Sequence, residues 1–160
     1  MQPTGELRVP RRIVRVEVTL RGLPAQRGNV FLAPDAPDAW QRDDVAGLLE
    51  GPPFFAFHAE GEPGKQLIAR DSCVIVEVEP LTDGPPVLYD QEVELEIELA
   101  VDGQRHVRRG VLLYSAPLER ARLIDRLNVE DRFIRLVAGE VICFVHKRFV
   151  ARVRQLAQGG

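Results

Sequence analysis

The second half of this 160-residue chain echoes the first, and that repetition constrains the fold more than any other feature. Each half opens on a run of alternating apolar and polar residues. In the first half this is Val14 to Leu20, and in the second Val93 to Leu99. Alternation at period two describes a strand with one buried and one wet face. A turn follows each run, at Arg21-Gly22-Leu23-Pro24 and at Asp102-Gly103. Asp-Gly between strands is a strong hairpin signal, because glycine accepts positive φ without steric cost.

A second strand comes next, Arg27 to Leu32 matched by Arg109 to Tyr114. Gly28 and Gly110 fall at equivalent places in these runs and suggest a bulge or bend. A short helix fits both halves. In the first it covers Asp43 to Gly51, with acidic residues opening it and glycine closing it. In the second, Ser115 is the expected N-cap, Leu118, Ala121, Leu123, Ile124 and Leu127 the apolar face, and Asn128 the stop. Strands then return at Phe54–His58, matched to Arg132–Leu136. The last elements are Gln66–Val78, matched to Val141–Val153. Each of these carries a polar break, Arg70-Asp71-Ser72 or His146-Lys147-Arg148, that reads as a tight kink.

The expected architecture is mainly β with two short helices (α+β): two tandem small β-barrel or roll repeats, each β-β-α-β-β-β, packed together. Residues 1–12 form a basic N-terminal tail and 13–79 the first repeat. Residues 80–91 are a Pro- and Gly-containing linker, 92–156 the second repeat, and 157–160 a C-terminal tail. Two halves of about 80 residues would each bury little core alone, so they are expected to pack on one another.

Five short strands with a hairpin first, a glycine bend and a kinked final pair resemble a small Sm-like or SH3-like barrel. The pattern is also similar to an uncharacterised bacterial family of short proteins. The resemblance rests on Gly47-Leu48-Leu49-Glu50, Phe54-Phe55-Ala56-Phe57 and Leu67 to Val74, with Asp125-Arg126-Leu127-Asn128 and Phe133-Ile134-Arg135-Leu136 as second copies. These are largely core positions, so the resemblance implies a fold; function taken from it would be analogy.

The chemistry-bearing residues do not converge on a reaction. His58, His106 and His146 lack metal-ligand spacing, so no metal or cofactor site is expected. Cys73 and Cys143 lie inside apolar runs and read as buried free thiols. Ser72 and Ser115 read as a kink residue and a cap, so no catalytic residue is assigned and the chain is expected not to be an enzyme. Glu92, Glu94, Glu96 and Glu98 alternate along one strand. They read as a solvated face paired with Arg105, Arg108, Arg152 and Arg154.

The candidate partner-binding residues are Arg8, Arg11 and Arg12, in the basic run Arg8–Arg15, and Trp40, in the Pro- and Asp-rich insertion Ala33–Trp40. The arginine run resembles the lead-in of PilZ domains, whose arginines bind a cyclic dinucleotide. The Asp/Asn-x-Ser-x-x-Gly half of that motif is missing at Gly28 and Gly110. A net charge of −3 supplies no global field toward nucleic acid or anionic lipid. The expected function is therefore a non-enzymatic protein-interaction, regulatory or scaffold module. The alternative is a ligand- or nucleic-acid-binding module using the N-terminal arginines. An unidentified protein is the expected partner, with homo-oligomers through strand edges a further option. No membrane insertion and a cytoplasmic location are expected, since no run of about 20 apolar residues occurs.

Overall fold

A computed structural model describes residues 12–32, 41–79, 91–115 and 122–156. The described residues form one ten-stranded antiparallel sheet with two short helices. The strands are β1 (Arg12–Leu20), β2 (Gln26–Leu32), β3 (Phe54–Ala59), β4 (Gln66–Ala69), β5 (Cys73–Val78), β6 (Gln91–Val101), β7 (Gln104–Tyr114), β8 (Phe133–Ala138), β9 (Val141–His146) and β10 (Val150–Gln155). Helix α1 spans Gln41–Glu50 and α2 spans Leu123–Leu127. Across the sheet the order is β10-β6-β7-β8-β9-β5-β1-β2-β3-β4.

The alternating runs form the strands they encode. β1 buries Val14, Val16 and Val18 and turns Ile13 and Arg15 outward. The β6–β7 hairpin closes on Asp102 (φ 50°) and Gly103 (φ 82°), the left-handed pair a two-residue type I′ turn requires. Both kinks are single 3-10 turns, Arg70–Ser72 and Lys147–Phe149, the second starting one residue later than expected.

Four expectations are corrected. First, the halves are not separate closed barrels. β5 pairs with β9, so the sheet runs continuously from one half into the other and does not close. The reason lies in the sequence of those two strands. Cys73-Val74-Ile75-Val76 and Ile142-Cys143-Phe144-Val145 are apolar on both faces and buried throughout. Such a strand is stable only in a sheet interior with both ladders satisfied.

Second, Arg12 is the first residue of β1 and not part of a tail. Third, α2 is preceded by Arg122, and Ser115 does not cap it; Asn128 does end it. Fourth, Gly28 and Gly110 mark no register shift. They are sites of close strand approach: a Cβ at Gly28 would lie 2.6 Å from Phe57 Cζ, and one at Gly110 would lie 3.0 Å from Leu136 Cβ.

Two apolar clusters fill the interior, and each borrows from the other half. The first is built on β1–β5 and α1, but includes Phe133, Ile142 and Phe144. The second is built on β6–β9 and includes Val74 and Ile75.

Candidate functional site

Two kinds of place stand out in this sheet: the seam where β5 meets β9, and the two strands that have one partner each among the described residues. The seam sets Ile75 opposite Val145, Val76 opposite Phe144, Glu77 opposite Cys143 and Val78 opposite Ile142. Polar contacts hold its flanks. The Glu50 carboxylate, at the end of α1, accepts the backbone N–H groups of Arg132 (2.8 Å) and Phe133 (3.0 Å). Arg108 Nε donates to Glu77 (3.1 Å), and Arg21 donates through Nε and Nη2 to Asp102 (3.0 and 2.8 Å).

His146 sits in the seam, 3% exposed. Its ring stacks on Phe133 (centroids 4.5 Å) and meets the edge of Phe149 (5.3 Å). Nδ1 lies 2.8 Å from the Cys73 carbonyl, which can only accept, so Nδ1 carries the proton. Burial pushes the imidazole below its ordinary value of 6.5, against the opposing pull of that carbonyl, Asp71 and Glu50; Arg148 adds to the depression. The folded chain therefore refuses a proton that the unfolded chain accepts. Stability should be full above pH ~6.5 and decline as pH falls below it. Thermal melts between pH 7.5 and 5.5 should show this decline in the natural chain. They should show a smaller one in His146→Asn, whose overall stability is lower. Equal pH dependence in both would remove the assignment.

The two cysteines are buried in the core. Burial raises both thiols to about 12, so neither Cys73 nor Cys143 is a nucleophile at neutral pH. Two carboxylates of the acidic stripe on β6 are paired. Glu96 accepts from Arg109 and Arg154 (both 2.7 Å), and Glu98 from Arg105 (3.1 Å) and Arg152 (2.6 Å). Hydrogen bonds from these arginines hold both carboxyls below the usual range. Arg108 instead joins Glu77 across the seam. Among the described residues, no group of three or more His, Cys, Asp or Glu side chains could hold a metal ion.

The outer strands are different. β4 and β10 each have one partner among the described residues. In an antiparallel ladder, successive residues point their N–H and C=O to opposite sides. The Leu156 N–H donates to Glu94 O (2.9 Å), so Arg154 and Arg152 face β6 while Gln155 and Val153 face outward. The Arg70 N–H donates to Pro53 O (2.8 Å), so Ile68 and Gln66 face β3 while Leu67 and Ala69 face outward. Two large apolar side chains stand beside the β4 edge. Leu67 is 76% exposed and Phe54 is 59% exposed. They share one face of the β3–β4 pair, opposite to the face that sends Phe55, Phe57 and Ile68 into the core.

Of the partner-binding residues expected from sequence, Arg8, Arg11 and Trp40 lie outside the described residues. Arg12 opens β1 opposite Leu32 and is half-buried. Arg15, from the same basic run, is held by Glu60 (2.8 Å) and Glu79 (3.1 Å). Arg15 is thus engaged in ion pairs, and most of the expected arginine group lies outside the described residues. Sequence reasoning missed Phe54 and Leu67. A signal was present: Phe54-Phe55 and Leu67-Ile68 are adjacent apolar pairs in alternating strands, and one member of each must face away from the core.

No helix among the described residues is long and apolar enough to cross a membrane. Comparison of the chain with protein families, curated proteins and solved structures gives no match.

Proposed function

We propose that the chain is a protein-interaction module made of two copies of one β-β-α-β-β-β unit, and that it binds partners through its open strand edges. The strand registers support the two-copy reading. Gly28 pairs with Val16 as Gly110 pairs with Leu95. Asn29 pairs with His58 as Val111 pairs with Val137. Phe54 pairs with Ala69 as Phe133 pairs with His146. Thr19 pairs with Ile75 as Glu98 pairs with Arg152, each beside a register shift. The units run β5-β1-β2-β3-β4 and β10-β6-β7-β8-β9, the same order.

Side chains repeat as well. Arg70, in the first 3-10 turn, donates through Nη1 to the Gly51 carbonyl just past α1. Lys147, at the equivalent place, donates to the Leu127 (2.9 Å) and Val129 (2.8 Å) carbonyls at the end of α2. A basic side chain thus holds the freed carbonyls behind each helix.

The observation that carries the interaction reading is the unequal fate of matched residues. Phe133 and Phe144 are buried at 4% and 1% exposure against the neighbouring unit. Their counterparts in the first unit, Phe54 and Leu67, face solvent. Natural sheets usually blunt an open edge with charge or proline, and large apolar side chains beside one mark a contact surface.

Affinity capture with the full chain from its source cells tests the reading. The expected result is a protein retained by the natural chain and lost with Phe54→Asp plus Leu67→Asp, at unchanged melting temperature. Equal retention by both would overturn it.

A further inference from the structure

We propose that the chain assembles head to tail with copies of itself, β10 of one copy pairing antiparallel with β4 of the next so that Val153 stands opposite Leu67. This rests on the two-copy reading above.

The seam supplies the template. Within the chain, the fifth strand of the first unit (β5) pairs with the fourth strand of the second (β9), Val76 opposite Phe144. The matched registers put Val153 where Val76 stands and Leu67 where Phe144 stands. Among the described residues the chain therefore contains one joint of this kind, and β10 and β4 are the two halves of another that have no such partner there. Carrying the seam register over sets Arg152 opposite Ile68, Arg154 opposite Gln66 and Gln155 opposite Lys65.

Three observations fit a second copy. The backbone is correctly directed, because Val153 and Leu67 are both among the residues whose N–H and C=O point outward. They can exchange two hydrogen bonds, as a directly opposed pair does. The apolar surface matches, because Leu67 and Phe54 would be covered by the β10 end of the next copy, as Phe144 and Phe133 are covered in the seam. The charges do not oppose it. Arg152 and Arg154 fall opposite Ile68 and Gln66, neither of them charged, and are already paired with Glu98 and Glu96.

Such a joint uses different surfaces on its two sides, so repetition closes into a ring or continues as a filament. It buries less apolar surface than the seam. Where the first unit offers Val74 and Ile75, the second offers Ala151 and Arg152. Assembly should therefore depend on concentration.

Disulfide trapping on the full chain tests the register. Leu67→Cys with Val153→Cys, mildly oxidised, should give a ladder of dimers and larger species linked between residues 67 and 153. Directly opposed residues meet the distance a disulfide needs, and the buried native thiols do not compete. Leu67→Cys with Gln155→Cys should give little. In parallel, the sedimentation mass of the natural chain should rise with concentration. Val153→Pro should abolish the rise, since it removes an outward N–H and leaves the β6 ladder intact. A monomer at every concentration with no ladder, or equal ladders in both registers, would overturn the proposal. A monomeric chain that still loses a captured partner on Phe54→Asp plus Leu67→Asp would defeat self-assembly alone. Failure of that capture contrast would defeat the broader reading.

Discussion

Truncating Phe144 to alanine should cost about 3–5 kcal/mol, the range for removing a fully buried phenylalanine. It should also unfold the whole chain in one transition. The residue belongs to β9, yet it lies in the cluster built on β1–β5, 1% exposed and opposite Val76. Its loss opens a cavity under the seam and weakens both halves together. Domains of this size commonly hold only about 5–15 kcal/mol in all, so the variant will be marginal at room temperature. Urea unfolding followed by far-ultraviolet circular dichroism and by intrinsic fluorescence would check this. Coincident curves shifted to lower midpoint are expected. Two separated transitions, or a loss below about 1 kcal/mol, would show that the halves fold independently and that the seam contributes little.

The second large effect is expected at Gly28. An alanine Cβ there would fall inside contact distance of the His58 carbonyl oxygen, 2.6 Å from Phe57 Cζ and 2.9 Å from the Ala59 Cα. Two of these atoms are backbone, so β2 and β3 would have to separate. Gly28→Ala should cost about 3 kcal/mol or more, at or beyond the usual cost of overpacking. At Gly110 the nearest atoms, Leu136 Cβ and the Val137 carbonyl oxygen, are both 3.0 Å away. Gly110→Ala should therefore cost less, about 1–2 kcal/mol. Melting temperatures of the two variants, compared with the natural chain, would check the order. The reverse order would mean that the close approach of β2 to β3 is misplaced.

These two residues also show what was legible in the sequence. The alternation of Val14–Leu20 and Val93–Leu99 fixed the strands and their buried faces. On the two-copy reading proposed above, Gly28 and Gly110 match one another, because a glycine inside a strand is a landmark that cannot slide. The bulge expected there is absent, since a bulge and a close approach leave the same mark in a sequence.

The later elements slid. On the proposed two-copy reading, Phe54, aligned with Arg132 from the sequence, matches Phe133 by ladder position, and Gln66, aligned with Val141, matches Cys143. Apolar runs without a glycine tolerate such slips, because one hydrophobic residue resembles another. The seam was illegible for a related reason. Cys73–Val76 and Ile142–Val145 announced strands buried on both faces, yet nothing in a linear pattern names which other strand lies alongside.

The candidate site divided in the same way. The pairing of Glu96 and Glu98 with arginines followed from their spacing along β6. The exposure of Phe54 and Leu67 did not, because burial of apolar residues was assumed at a strand, β4, that has one partner among the described residues. The buried position of His146 depended on the seam and could not precede it.

The claim on which the rest depends is that the seam is satisfied and the two end strands are not. Residue-resolved amide hydrogen exchange on the dilute natural chain measures this directly. The Val76 and Phe144 amides should exchange only through global unfolding, whereas the Leu67 and Val153 amides should exchange at nearly unprotected rates. Slow exchange at Leu67 and Val153 in a monomer, or fast exchange at Val76 and Phe144, would contradict the account.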